Sequence, residues 1–109
     1  MANAYKVLGQ ANPAANTDTD LITVGSGKSQ VISTLSICNE GGSQTTFRVA
    51  VRPAGAGIAA KHYIAYDATV EGNDAVYLTI GITLAATDVL TVRAGTANVA
   101  FNAFGNEIT

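Results

Sequence analysis

Few residues in this chain have the types and spacing that chemistry requires, and each candidate competes with a plainer structural role. Gly27-Lys28-Ser29 copies the end of a phosphate-binding loop, in which backbone amides cradle phosphate while the lysine and serine reach phosphate and magnesium. The first glycine of that motif would stand where Ile22 is, and the following residues alternate like a strand instead of opening a helix whose N-terminus holds the anion. A turn is therefore expected here. His62 is the sole histidine, and a hydrolytic triad would need a nucleophile beside it and a carboxylate orienting its other nitrogen. No serine elbow motif supplies the nucleophile. Between Lys61 and Tyr63, His62 reads as a satisfied or solvent-facing strand residue, with a subunit interface as the alternative.

The carboxylates of Asp18, Asp20, Asp67, Glu71, Asp74 and Asp88 could in principle serve as glycosidase acids or calcium ligands. Asp18-Thr19-Asp20 alternates acids, but the further spaced ligands and distal glutamate of an EF-hand loop are missing. Turn and capping roles are expected, with a weak cation at Asp18, Asp20 or the 71–74 turn as the alternative. Tyr5, Tyr63, Tyr66 and Tyr77 with Phe47, Phe101 and Phe104 could make a stacking platform for sugars or bases, yet tryptophan is absent. The phenylalanines are expected in the core. Tyrosine combines contact area with a hydroxyl at low entropic cost, which suits subunit contacts. No catalytic residue, metal or cofactor is expected.

The elements that must position these residues follow a period of two, rich in Val, Ile and Thr, with turn residues at intervals of roughly eight to twelve positions. Residues 30–39 place Val31, Ser33, Leu35 and Ile37 on one face and Ile32, Thr34, Ser36 and Cys38 on the other, which predicts a central strand. A Glu40-Gly41-Gly42-Ser43 turn leads to residues 44–52, and the two strands are expected to form a hairpin. Residues 53–60 read as a loop. Residues 61–70 resume alternation with His62, Ile64, Tyr66, Ala68 and Val70 on one face. After a polar turn at 71–74, residues 75–83 return as one strand with Val76, Leu78, Ile80 and Ile82 inward. A short turn at 84–88, a strand at 89–94, a turn at 95–98 and a last strand from 99 to 104, extendable to Ile108, complete the chain. At its start, residues 5–9 predict an edge strand, 11–20 a loop, and 21–24 a short strand. About eight strands without helical crossovers predict an all-β, antiparallel two-sheet sandwich, jelly-roll-like or immunoglobulin-like.

A chain of 109 residues fits one domain, 1–109. Hydrophobic residues are 48% and charged residues 13%, about half the roughly 25% of ordinary soluble domains, and the deficit falls on the surface. Such an exterior is expected to be covered by partners. The net charge of −2 and the scattered Lys6, Lys28, Arg48, Arg52, Lys61 and Arg93 argue against a nucleic-acid partner. Cys38 is alone, so no internal disulfide forms. No leader pattern or membrane-length apolar run is present, so a cytoplasmic product that does not enter a membrane is expected.

Five segments carry a family resemblance: NTDTDLITV (16–24), VISTLSICN (31–39), TFRVAVRP (46–53), KHYIAY (61–66) and ITLAATDVLTV (82–92), with FGNEIT (104–109) at the end. Together they resemble small β-rich virion structural proteins of tailed phages, including cyanophages. The resemblance implies a capsid cement or decoration protein made in the host cytoplasm and placed on the virion. Its implied partners are the major capsid protein and copies of itself, as a dimer or trimer; a tail, fibre or baseplate component is the alternative. It brings no catalytic residues. The contacts expected are the 5–10 edge and the 53–60 loop, with Tyr5, Val7, Pro53, Ile58, His62 and Tyr63 as interface residues.

Overall fold

Alternation of apolar and polar side chains yields nine strands in the computed structural model, which describes residues 2–109. They are β1 (Asn3–Ala11), β2 (Thr19–Thr23), β3 (Ser29–Asn39), β4 (Thr45–Arg52), β5 (Tyr63–Val70), β6 (Asp74–Leu78), β7 (Ile82–Leu84), β8 (Val89–Ala94) and β9 (Val99–Ile108). All pairings are antiparallel. One sheet runs β1-β9-β3-β6, with β7 also on β3, and the other runs β2-β8-β4-β5. Because β6 and β7 pair with successive stretches of β3, they act as one interrupted strand. The order is then that of a jelly roll, whose connections pass from sheet to sheet. Only β4 and β5 are both consecutive and paired among the described residues, which excludes the immunoglobulin arrangement, where strands A and B are neighbours.

The inner faces bury Ile32, Leu35, Ile37, Phe101 and Ala103 of one sheet against Phe47, Val49, Leu90 and Val92 of the other. Leu21, Ile22 and Val24 close one flank of this core. Burial of such apolar area, at about 25 cal/mol per Å², is the main stabilising term in a chain without disulfides.

Several sequence expectations are corrected by this packing. Residues 30–39 and 44–52 do not form a hairpin, because β3 and β4 belong to different sheets and each spends its edges on other strands. The strand expected over 75–83 breaks at Thr79–Gly81, where Gly81 has φ of +69°, and Ile80 turns out to solvent. In β3 a register shift between Ile32 and Thr34 reverses the alternation, so Ile32 faces inward together with Leu35 and Ile37 while Val31 faces out. Gly105 opposite makes room for it, since a Cβ there would stand 2.0 Å from the Val31 carbonyl oxygen. In β5 the same reversal occurs near Asp67, at φ +51°, so Ile64 and Tyr66 point away from the core that Ala68 and Val70 join. His62 precedes β5, in a 3-10 turn, and is buried. Phe104 is partly exposed on an outer face, whereas Phe47 and Phe101 are core residues as expected. Leu84, assigned to a turn by its sequence context, is a fully buried strand residue.

At one end of the sandwich, three connections between the sheets meet at Asn39, which is 1% exposed. Its amide nitrogen donates to the carbonyls of Ser43 (2.8 Å), Glu71 (3.2 Å) and Val70 (3.4 Å), and its carbonyl oxygen accepts from the Gly41 amide (2.9 Å). The Glu40 amide donates to Asn98, and the Asn73 amide to Gly41. Gly72 packs directly on the Gly42 backbone, where a Cβ would come within 2.4 Å. Asn39→Ala strands these buried groups without partners and is expected to cost about 2–4 kcal/mol in urea unfolding. A loss below about 1 kcal/mol would show that the turns hold without it.

Candidate functional site

The longest connection, residues 53–62, joins β4 to β5 at the opposite end of the sandwich and is pinned from several sides. Arg52 donates to the carbonyls of Gly55 (3.1 Å) and Ala56 (2.9 Å). Asp88 accepts from the amides of Ala54 (2.9 Å) and Ala85 (2.8 Å), tying the loop to the β7–β8 turn. His62 closes the loop: its Nδ1 accepts from the Ala59 amide at 3.0 Å, and its own amide donates to the Ala59 carbonyl at 3.0 Å. One ring nitrogen of the imidazole is thus spent on structure.

Two open, largely apolar clefts flank this loop. One, of about 480 Å³, is lined by Ile58, Ala59, Ala60, Tyr63 and Tyr66. The other, of about 470 Å³, is lined by Val51, Pro53, Ala56, Lys61, His62 and Ile64. In the first, the Tyr63 and Tyr66 rings meet edge to face at 4.8 Å and 85°. The Arg48 guanidinium lies 4.1 Å over the Tyr66 ring, a cation–π contact, and grips Asp67 through Nε (2.7 Å) and Nη2 (3.2 Å). That clasp holds Asp67 in its left-handed conformation and turns Tyr66, 59% exposed, outward.

The expected interface residues therefore fall into two groups. Pro53, Ile58, His62 and Tyr63 gather around the 53–62 loop, whereas Tyr5 and Val7 lie on the outer face of the five-stranded sheet beside Val31 and Phe104. Ile64 and Arg48 belong to the loop surface although the sequence does not single them out, and Tyr66, singled out there only as a tyrosine suited to contacts, joins them; unbroken alternation puts Ile64 and Tyr66 on the same face as Ala68 and Val70, which pack on the core. Positive φ is more readily tolerated by aspartate than by most residues, and Asp67 was the one available sign of the reversal.

The acidic candidates are engaged elsewhere. Asp18 faces Arg93 (3.6 Å), Asp20 accepts from Arg52 (2.9 Å) and from the Thr91 hydroxyl (3.0 Å), Glu71 accepts from Gln44 (2.7 Å), and Asp74 accepts from the Ala75 amide. No group of three or more His, Cys, Asp or Glu side chains able to hold a metal occurs among the described residues. The Gly27-Lys28-Ser29 segment is a turn, closed by the Lys28 amide on the Gly25 carbonyl, with Gly27 at φ +75°. Among the described residues, no helix is long and apolar enough to cross a membrane.

No family model, curated protein or solved structure matches the chain.

Two carboxylates are held below their ordinary values. Asp67, ordinarily 3.8, is lowered by the Arg48 hydrogen bond. Glu107, ordinarily 4.5, is lowered by hydrogen bonds from Lys6 and Gln30 and by the charge of Lys28. Each binds its proton more weakly folded than unfolded, so its stabilisation is complete above the ordinary value and disappears as pH falls through the lowered one. Unfolding free energy is expected to drop as pH falls below the ordinary carboxylate range, and Glu107→Gln to flatten that slope; an unchanged slope would show that Glu107 is not responsible.

Proposed function

We propose that this protein is a non-enzymatic virion component of a tailed phage, a capsid cement protein that docks on the major capsid protein through the 53–62 loop and the neighbouring edge of β5. The supporting observation is the loop surface itself. Ile58, Ile64 and Tyr66 stand exposed around open clefts, while the loop itself is pinned to the scaffold by Arg52, Asp88 and His62 Nδ1. An immobilised loop loses little freedom on binding, so its apolar and aromatic side chains translate efficiently into affinity. Jelly rolls are frequent among viral capsid domains, although fold by itself does not set function. Repeated over a shell, even modest contacts of this kind would raise the resistance of the capsid to rupture.

The aromatic cleft also favours a second reading, a tail, fibre or baseplate component whose Tyr63 and Tyr66 hold a receptor sugar. Position separates the two. Labelled protein located in purified virions by cryo-electron microscopy is expected in many copies over the icosahedral shell. A few copies at the tail vertex would favour the second reading, and absence from particles would sink both. On the shell, Tyr66→Ala combined with Ile58→Asp is expected to weaken binding by about 2 kcal/mol or more, read as lost occupancy, and undiminished occupancy would remove the loop from the contact.

A further inference from the structure

The two outer faces of the sandwich differ sharply in charge. On the four-stranded sheet, Arg48 and Arg93 are cross-strand neighbours, and with Arg52 they pair with Asp67, Asp18 and Asp20. Three arginines and three aspartates, of the chain's six basic and eight acidic residues, thus form an ionic lattice suited to water. The five-stranded sheet presents none. Its row across β1, β9, β3 and β7 reads Tyr5, Asn106, Val31 and Thr83. Farther along lie Val7 with Phe104, then the row Gln10, Asn102, Ser36 and Tyr77. Lys6 and Glu107, on strands of this sheet, alternate to the opposite side and pair there. Tyr5 is 84% exposed and Tyr77 64%.

We propose that this uncharged face is the contact between two copies of the chain, packed sheet on sheet about a two-fold axis. A two-fold contact sets the same surface against itself, so any patch of one charge would meet its own repulsion; this face has no such charge to desolvate or oppose. Its amides and hydroxyls, among them Gln10, Asn102 and Ser36, include both donors and acceptors and can satisfy a second copy of themselves. Its size fits as well. Four columns about 4.8 Å apart and about ten residues long, at roughly 3.4 Å per residue, give a flat area on the order of 600 Å², which side-chain relief brings near the roughly 800 Å² per partner of a stable interface. A dimer built this way leaves the ionic faces outward and both 53–62 loops free for a shell, so the inference stands independently of what those loops bind.

Cys38 supplies a native probe, since it sits on this face between Ala100 and Ala75 and is partly accessible in the single chain. Sedimentation of the purified full-length chain, at concentrations on the order of 100 µM, above the µM end of the range for interfaces of this size, is expected to give twice the 11.1 kDa monomer mass. Phe104→Lys with Tyr5→Lys is expected to give monomers with an unchanged far-ultraviolet circular dichroism spectrum and alkylation of Cys38 faster by about tenfold or more. Tyr66→Ala, on the opposite sheet, is expected to leave the dimer intact. A monomeric wild-type chain, or an oligomer that the double variant leaves associated with Cys38 equally protected, would overturn the proposal. Should the double variant unfold, dilution of the wild-type chain replaces it: Cys38 alkylation that does not accelerate as the oligomer dissociates would overturn it equally. Capsid occupancy enters none of these readings, so failure here and failure of the cement assignment are separately visible.

Discussion

The fold depends on satisfying backbone groups where the chain leaves one sheet for the other. A jelly roll makes this passage at nearly every connection, and at each one carbonyls and amides leave their ladder without a partner. Asn39 answers the problem at one end, joining the turns that follow β3 and β5 through one buried amide. Asp88 performs the corresponding task at the other, with two backbone amides from separate connections on its two oxygens. The apolar core can drive the sheets together, but it is non-directional. These short polar side chains are what make the crossings specific.

The same constraint explains the register shifts. Strands crossing a twisted sandwich cannot keep strict alternation over ten residues and still bury every large side chain, so β3 shifts register once against β9 and β5 twice against β4, one of these shifts lying at Asp67. In β3 the reversal needs the bare backbone of Gly105; in β5 it is held by the Arg48–Asp67 clasp. The second reversal has a functional consequence. It turns Tyr66 to the surface and thereby forms one wall of the aromatic cleft beside the 53–62 loop.

Charge is divided unevenly between the two outer faces. Three arginines and three aspartates that sequence places far apart converge on the four-stranded sheet, where each neutralises another, while the outer face of the five-stranded sheet carries no such pair. Surface ion pairs of this sort add little stability, with a median between about 0 and 1 kcal/mol. Their value lies in solubility, confined to one side of the molecule. The low charge of the chain as a whole thus becomes, in three dimensions, an uncharged face and a water-compatible face.

The all-β class, the antiparallel sandwich, the edge position of β1, the central position of β3 and most of the core were legible in residue order, because a period of two and Gly- or Asn-rich turns are local properties. So was the poverty of charge that points to covered surface. Strand partners were not legible: nothing local to residues 30–52 says that β3 and β4 part company, since pairing across sheets is decided by which strands arrive from far along the chain. The two facing reversals also lie outside local pattern, except for the hints at Gly105 and Asp67. His62 illustrates the difference, being an alternating strand residue and expected interface contact in sequence and a buried loop clasp in the fold. Local chemistry set what each strand could bury; only the closed sandwich, by requiring every buried polar group to find a partner at once, decided which side chains were left for the surface.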